Sequence, residues 1–448
     1  MQYGRFQQWV CFSLPLFVSL ALGLDQQASA SAYQLLTAYD APSVGDAGAG
    51  GAAIANTAST AYANPAGLIR ILQPELVANA TDISTIADFS GANTWRRSTA
   101  VGTYTQFGSA QGGTNRVIPS VFVSVPLQDR WALGLSAAVP FGLATVYAND
   151  SIVRYTATRS ELSVVDYSPN LSFKVNDQFS LGLGFDVDAI KLTLENWVGL
   201  PTVSSPRFAR DSHAFSTANS VGYGWHAGIL YQLSEMTRFG LAFRSGVTTT
   251  IDGMSTLQGP ILPLVGVASG QTSFGNFNTR IKLPATTVLS AYQDLNPQWA
   301  IDGSLYYTQW SSLSNTQVLN NVAGLSATVP VTVSLPQNYR NTWLIALSGI
   351  YHCNQDWLFR AGINFDESPV KSSERNIALP DSNRVAVAVG AHYQAAKQVG
   401  FDFGYKHLFF QNANVSVPIV QGTQISTANG SFKNSANEFA GQITFDLV

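Results

Sequence analysis

The feature that most constrains this chain is a repeated alternation of apolar and polar residues, in segments separated by turn residues. Segments of about ten residues with this alternation are typical of transmembrane β-barrels, in which one side of each strand meets lipid and the other meets a lumen. After residue 30, no apolar run reaches the roughly 18 residues that a membrane-spanning helix requires. The pattern therefore predicts an all-β membrane protein and excludes a helical bundle.

Residues 1–30 have the pattern of a cleaved secretory signal peptide. Arg5 precedes an apolar core at residues 10–24, and the small residues at 28–30 fit a cleavage site. A retained helical anchor is the alternative, although Pro15 interrupts the apolar stretch. Export of a barrel-forming chain predicts the bacterial outer membrane as its location.

The composition supports lipid as part of the solvent of this protein. Charged residues are 11% of the chain, whereas soluble domains have about 25%. A soluble β-sandwich, the alternative source of alternating strands, would expose many more charges. The net charge of −3 and the absence of clustered Lys and Arg exclude nucleic acid as a partner. Removal of the leader leaves Cys353 as the only cysteine, so no intrachain disulfide is predicted.

Six short polar turns divide the chain into hairpins. They lie at residues 128–131, 176–179, 234–237, 296–299, 354–357 and 396–399, and longer connections alternate with them near residues 91–113, 141–160, 196–221, 249–282, 311–340, 367–382 and 411–432. Six turns join twelve strands, and terminal strands near residues 74–90 and 433–447 bring the predicted number to fourteen. The predicted fold is thus a fourteen-stranded antiparallel transmembrane β-barrel over residues 74–448, with an even number of strands as in bacterial barrels.

Residues 31–73 differ from the rest of the chain. They are rich in glycine and alanine, and they lack the period-two alternation. Small residues permit close backbone packing in a confined space, and a barrel of fourteen strands approaches the width of an aqueous channel. We interpret residues 31–73 as a plug, or hatch, inside the lumen; a flexible periplasmic tail is the alternative.

Four stretches, at residues 45–66, 141–145, 283–310 and 359–384, resemble sequences of the FadL/OmpP1/TodX family of outer-membrane long-chain fatty acid transporters. Residues 45–66, which end on Asn64, Pro65 and Ala66, resemble the N-terminal hatch of that family. Further similar stretches follow in the expected order: residues 141–145 (FGLAT), 283–310 and 359–384. The resemblance runs from residue 31 to the C terminus. It implies passive inward transport of hydrophobic molecules, which adsorb to outer loops, enter a lumen pocket and leave sideways through a gap at a kinked third strand.

The third predicted strand, residues 130–142, contains Pro140 and Gly142. Proline cannot donate a hydrogen bond to a neighbouring strand and is found at bulges and edges. The ladder is therefore expected to bend or break here, either as an opening in the wall or simply because the strand ends. The resemblance favours an opening.

The resemblance also implies roles for the N-terminal residues. Tyr33, Leu35 and Leu36 lie where the family inserts its N terminus into the binding pocket. Ligand binding would displace them and shift Asn64, Pro65 and Ala66 against the third strand. Together with Pro140 and Gly142, this triplet forms the predicted gating set.

The predicted 249–282 loop is unusually apolar. Leu257, Ile261, Leu262 and Leu264 follow one another with few charges, and Trp197 lies in a neighbouring loop. An exposed apolar patch is commonly an interaction site, so these residues are candidates for substrate docking. Packing onto one another as a cap over the barrel is the alternative.

A fatty acid carboxylate in an apolar pocket needs a cationic partner. Where the best-known family members have an arginine for the head group, this chain aligns Asn196. Lys191 is our candidate substitute, with Arg154, Arg159 and Lys282 as others. The choice between a fatty acid and an uncharged hydrocarbon therefore stays open.

No catalytic set stands out, because the five histidines are scattered and no pair has the spacing of a zinc-binding helix. We predict no enzyme activity, no cofactor and no metal. The predicted function is passive uptake of hydrophobic substrates, foremost long-chain fatty acids, by a monomer surrounded by outer-membrane lipid. Uptake of aromatic or other hydrocarbons is the alternative within the same architecture, and a general diffusion porin is the alternative from another class.

Overall fold

The computed structural model describes residues 33–97, 103–199, 208–265, 268–313, 315–320, 331–421 and 424–447. The signal peptide predicted at residues 1–30 lies outside these ranges and stays a prediction. Among the described residues, no helix is both long enough and apolar enough to cross a membrane.

The described residues form one closed antiparallel barrel of fourteen strands, some of them interrupted. The strands are β1 (Glu75–Arg97), β2 (Tyr104–Gln111 and Asn115–Leu127), β3 (Trp131–Val146), β4 (Arg159–Lys174), β5 (Phe179–Val198), β6 (Ser212–Ser234), β7 (Thr237–Arg244 and Val247–Gln258), β8 (Thr272–Leu283 and Thr286–Asp294), β9 (Trp299–Thr308), β10 (Thr342–His352), β11 (Trp357–Asp366), β12 (Arg384–Ala396), β13 (Val399–Phe410) and β14 (Gln424–Asp446). Short extra strands, Asn315–Asn320 with Val331–Pro336 and Ala413–Val415 with Pro418–Gln421, extend the wall.

The barrel closes where β1 pairs with β14 over the full length of both strands, from Glu75 opposite Asp446 to Arg97 opposite Gln424. Complete closure leaves no exposed sheet edge at this seam, as the bilayer requires. The predicted fold class and strand number are confirmed. The terminal strands are longer than the predicted 74–90 and 433–447.

All six predicted tight turns are confirmed, and three of them share a local mechanism. The side-chain oxygens of Asn176, Asn296 and Asn354 each accept hydrogen bonds from the backbone N–H groups two and three residues later, at 2.8 to 3.0 Å. Such Asx turns reverse the chain locally. The aromatic residue after each turn pairs with a tyrosine on the next strand: Phe179 with Tyr231, Trp299 with Tyr351 and Trp357 with Tyr393.

The predicted long loops are partly wrong, because several strands continue into them. Most of 249–282 is a hairpin of the β7 segment Val247–Gln258 and the β8 segment Thr272–Leu283. Half of 196–221 belongs to β5 and β6. These extensions are rich in β-branched and small polar residues and lack the fully apolar face by which the strands were recognised, so they resembled loops.

Residues 33–73, called here the N-terminal segment, lie inside the barrel. They contain α1 (Ala41–Gly45), α2 (Thr60–Ala63) and a 3-10 helix (Pro65–Arg70). Small residues bring the backbones together: a Cβ on Gly45 would lie 2.8 Å from the Cα of Gly390 on β12. The N-terminal segment therefore packs against the inner wall of the barrel and does not form a free tail.

Candidate functional site

The third strand is distorted at the predicted proline. In the pairing of β3 with β4, Ala138 lies opposite Asp166 and Phe141 opposite Val164, so Val139 and Pro140 form a bulge. The strand continues beyond the bulge to Val146. Pro140 thus bends β3 and does not end it.

The same bend opens the ladder on the other side of β3. Pairing with β2 runs from Leu127 opposite Trp131 to Val121 opposite Ala137 and then stops. Contact resumes where the N–H of Val146 donates to the carbonyl of Gly112, at 3.0 Å. Between residues 115–120 of β2 and 138–145 of β3, the described residues form no ladder. We call this interruption the wall gap.

The N-terminal segment occupies the edge of β3 that the wall gap leaves free. The N–H of Leu35 donates to the carbonyl of Pro140 at 2.8 Å, and the N–H of Gly142 donates to the carbonyl of Tyr33 at 2.7 Å. The buried side chain of Leu35 packs against Ile83, Ile118 and Val139, which come from the three strands around the gap. Residues 33–35 therefore substitute locally for the missing ladder partner.

Tyr33 extends from the wall gap into an apolar cluster in the lumen. Its ring lies 4.9 Å from that of Trp310 and 6.0 Å from that of Phe141, and the ring of Tyr339 lies 5.9 Å from that of Trp310. We call these four residues the aromatic cluster. Further apolar side chains of the strands surround it, among them Leu162, Val164, Ile190, Ile251, Phe277 and Leu283. Trp310 is fully buried and was not singled out from the sequence, although it ends one of the stretches that carried the resemblance.

A cavity of about 790 Å³, part of it open to solvent, adjoins the aromatic cluster. Leu36, Phe141, Val247 and Leu283 contribute apolar surface to it. The remainder of the lining includes Asp186, Asp188, His226 and Arg244. The lumen thus offers a cavity lined by both apolar and charged side chains, and we call the part lined by Asp186, Asp188, His226 and Arg244 its polar end.

Arg244 is the cation at the polar end of the cavity. It donates to the carboxylates of Asp166 and Asp186, at 2.8 and 2.7 Å, and to the carbonyl of Tyr62 at 3.1 Å. His226 is held between Asp186 and Asn170, at 2.6 and 2.7 Å. The charge of Arg244 is therefore matched by two carboxylates before any ligand enters.

Known proteins share the sequence pattern and the fold of this chain. Residues 21–447 match the family described as outer membrane protein transport protein (OMPP1/FadL/TodX). The chain belongs to this family. FadL-family proteins are transporters of the outer membrane and not enzymes, which confirms the predicted location and the predicted class.

The curated relatives of this FadL-family protein align over most of their length. The long-chain fatty acid transport protein of Salmonella typhi is 27% identical over 419 residues, which cover 90% of this chain and 92% of the relative. Outer membrane protein P1 of Haemophilus influenzae is 26% identical, with coverage of 89% and 90%.

Solved structures share the fold. A Pseudomonas aeruginosa FadL homologue superposes with a TM-score of 0.80 at 22% identity, covering 92% of this chain and 99% of that one. The Pseudomonas putida toluene transporter TodX superposes with a TM-score of 0.66 at 17% identity, with the same coverage.

In this FadL-family barrel, the predicted head-group residues lie away from the cavity. Side chains alternate along a strand, so Lys191 points to the face opposite Ile190 and Leu192, which contact the apolar lumen cluster. Asn196 and Trp197 lie further along β5, where the Trp197 ring contacts Phe208 and His213. Arg244 was missed, and its signal was the lumen-facing position on β7 after Gly240 and Ala242.

Three residues of the predicted docking patch are buried. Leu257, Ile261 and Leu262 are at most 2% exposed, and they cluster with Val198 and Ala214. Gly259, at a positive φ of 123°, turns the hairpin tip back, and the N–H of Ile261 donates to the hydroxyl of Ser212. These three residues form no exposed groove. The side chain of Leu264 lies outside the described part of the chain.

The Asn64, Pro65 and Ala66 triplet contacts β5 and β6. The Asn64 amide donates to the carbonyls of Ala52, at 2.7 Å, and of Ile229 on β6, at 3.1 Å. A Cβ on Gly182 of β5 would lie 2.2 Å from the nitrogen of Ala66. The following 3-10 helix carries the chain on to Leu68, which packs on β3 at Gly134. The predicted shift of the triplet against β3 on ligand binding stays a prediction.

Proposed function

We propose that this protein takes up hydrophobic molecules passively across the outer membrane, with long-chain fatty acids as the foremost substrates. One observation carries the proposal: residues 33–35 fill both the apolar lumen site and the wall gap beside it. A molecule that occupies the first must disturb the contacts that close the second. No energy source is needed, because the route runs through apolar surface from the lumen to the lipid.

The coupling starts at Tyr33. Its ring packs in the aromatic cluster, and its carbonyl accepts a hydrogen bond from the N–H of Gly142 at the wall gap. An alkyl chain that replaces the ring pulls the backbone of residues 33–35 from β3. Leu35 then leaves Ile118 and Val139, and the gap becomes the lateral exit. The N-terminal segment is in this proposal a movable hatch, and adsorption to outer loops precedes entry.

The curated relatives support a fatty acid as the substrate, since several of them are named long-chain fatty acid transport proteins. A second candidate is uptake of aromatic or other neutral hydrocarbons. It is favoured by the polar end of the cavity, where Arg244 is already neutralised by Asp166 and Asp186. A diffusion porin is less well supported, because the N-terminal segment fills the lumen that a porin keeps open.

A disulfide between the N-terminal segment and β3 tests the hatch. Gln34 and Phe141 form an isolated antiparallel bridge, flanked by the two backbone hydrogen bonds of the gap. Such a pair has Cα atoms about 4.5 Å apart, which suits a disulfide. We would combine Gln34→Cys and Phe141→Cys with Cys353→Ser, because Cys353 is exposed and free.

Uptake of labelled oleate by cells that lack their own transporter is the measurement. We expect the oxidised tether to stop uptake and reduction to restore it in the same cells. A matched pair, Val121→Cys with Ala137→Cys, lies within the intact ladder and should leave uptake unchanged. Equal uptake by the oxidised and reduced hatch tether would refute the movement. Binding of labelled oleate and of a hydrocarbon of similar length to the purified protein separates the two substrate classes.

A further inference from the structure

The polar end of the cavity holds a carboxylate that its surroundings leave unsatisfied. Asp188 on β5 is 4% exposed and lines the cavity. Among the described residues, its carboxylate has no hydrogen-bond donor, whereas Asp166 and Asp186 share Arg244 and Ser168. A buried ionised carboxylate without a partner is costly. Asp186 also lines the cavity and its Oδ2 has no partner, but its Oδ1 is held by Arg244, His226 and Ser168. Asp188 is therefore the cavity carboxylate that, among the described residues, has neither oxygen paired, and a ligand can supply its partner.

The charges around Asp188 are all accounted for. Asp166 lies directly opposite Asp188 in the pairing of β4 with β5, and Asp186 precedes it on the same face. The facing cations are Arg244 of β7 and His226 of β6, and both contact Asp186 and not Asp188. From the N-terminal segment, the phenols of Tyr39 and Tyr62 line the same cavity. No described cation is thus left over for Asp188.

A bare fatty acid carboxylate is a poor occupant of this end. It can only accept hydrogen bonds, as Asp188 does, and two facing carboxylates cannot both stay ionised in a buried site. One proton between them removes the repulsion and makes a strong hydrogen bond. An alcohol brings such a proton with it.

We propose, on the basis of the uptake function above, that Asp188 selects substrates whose polar end donates a hydrogen bond: long-chain alcohols, and fatty acids that bind with one proton shared with Asp188. Asp188 is then a specificity-determining residue. The site takes a fatty acid together with a proton and rejects the anion alone. Arg244 holds Asp166 and Asp186 in place and does not serve as the head-group cation.

The test compares palmitate with hexadecan-1-ol, which have equal chain length, in equilibrium binding to the purified full-length protein in detergent. The palmitate complex holds a proton that the medium removes as the pH rises, so its Kd should rise by about tenfold per pH unit once free Asp188 is ionised. Between about pH 6 and about pH 9, we expect the ratio of the palmitate Kd to the alcohol Kd to rise at least about tenfold.

Two variants complete the test. Asp188→Asn can donate to a carboxylate and should lose the pH dependence, with tighter palmitate binding at the higher pH. Asp150→Asn, at an exposed loop acid, should behave like the wild type. If Asp188→Asn does not fold, calorimetry of the wild type in two buffers serves instead: near pH 9, palmitate should take up about one proton and the alcohol none.

A constant ratio in the wild type, an unchanged ratio in Asp188→Asn, or palmitate binding without proton uptake overturns the assignment of Asp188. Failure of the uptake proposal looks different. In that case neither ligand binds at either pH, and Trp310→Ala changes neither measurement.

Discussion

Replacement of Asn64 by alanine tests whether the buried hydrogen bonds of one side chain keep the N-terminal segment folded in its position inside the barrel. The side chain is fully buried. It donates to the carbonyls of Ala52 and Ile229 and accepts from the N–H of Ala66 at 3.1 Å. Only the bond to Ile229 reaches the wall, because Ala52 and Ala66 belong to the segment itself. All three bonds are lost when the segment unfolds and leaves the wall, so at about 1 kcal/mol for each the substitution lowers the stability of the folded, docked segment by about 3 kcal/mol.

This loss sets the size of the expected effect. A change of about 3 kcal/mol raises the undocked population roughly a hundredfold, and backbone amides that exchange by local opening accelerate by the same factor. Hydrogen–deuterium exchange in detergent, followed at Ala53 and Gly67, measures it. Both amides are hydrogen-bonded inside the segment.

The matched control is Asn93→Ala, since Asn93 is also buried but its amide donates to Ile152 in an outer loop. It should leave exchange within the N-terminal segment unchanged. Less than about threefold acceleration in Asn64→Ala, or equal acceleration in both variants, would show that packing and not these hydrogen bonds holds the segment.

Three further changes have separate readouts. Gly182→Ala places a methyl 2.2 Å from the nitrogen of Ala66 and should lower the free energy of unfolding by about 1 to 3 kcal/mol. Gly349→Ala, whose methyl meets nothing within 4 Å, is the control and should leave it unchanged. Equal stability of the two variants contradicts the close approach at Gly182. Trp310→Ala removes the centre of the aromatic cluster, and the oleate chain then loses the apolar surface of a buried indole, at about 25 cal/mol per Å². The oleate Kd should rise at least about tenfold, and an unchanged Kd places the ligand elsewhere. Burial and the neighbouring Asp302, opposed by Arg360, raise the pKa of the Asp46 carboxyl to about 8. The stability that protonated Asp46 contributes is therefore complete below its ordinary pKa of about 4 and is lost as the pH rises through the raised value, so the melting temperature should fall over that window. Asp46→Asn should flatten the curve of melting temperature against pH, whereas an unchanged slope assigns the pH dependence to other groups.

The turns and the apolar, lipid-facing sides of the strands were predictable because their causes are local. The side-chain oxygen of Asn176 reverses the chain by accepting hydrogen bonds from the backbone N–H groups of Gln178 and Phe179. Phe179 also begins the strand that follows. Strand ends away from the turns were not predictable in this way. The extension Val247–Gln258 is held by pairing with β6 and β8 and shows no continuous apolar face.

The candidate site was predicted in part. Pro140 indicated a disturbed ladder because proline lacks an N–H, and Tyr33 and Leu35 were placed near the pocket through the resemblance. Arg244 and Asp188 could not be found in this way, because each is an ordinary lumen-facing residue of its own strand. What distinguishes them is the pairing of carboxylates with a cation. That pairing is set only when strands β4, β5 and β7 come together in the closed barrel.

The sequence by itself determined a lipid-facing wall, its hairpins and the number of its strands. Those properties follow from period-two alternation and turn chemistry, where each residue acts on near neighbours. The tertiary structure alone decided where the wall fails to pair and what fills the opening. The ladder stops beyond Ala137, and Leu35 and Tyr33 take the free edge. Contacts between residues about a hundred positions apart arise only on closure of the barrel, because closure sets the register and the space left in the lumen.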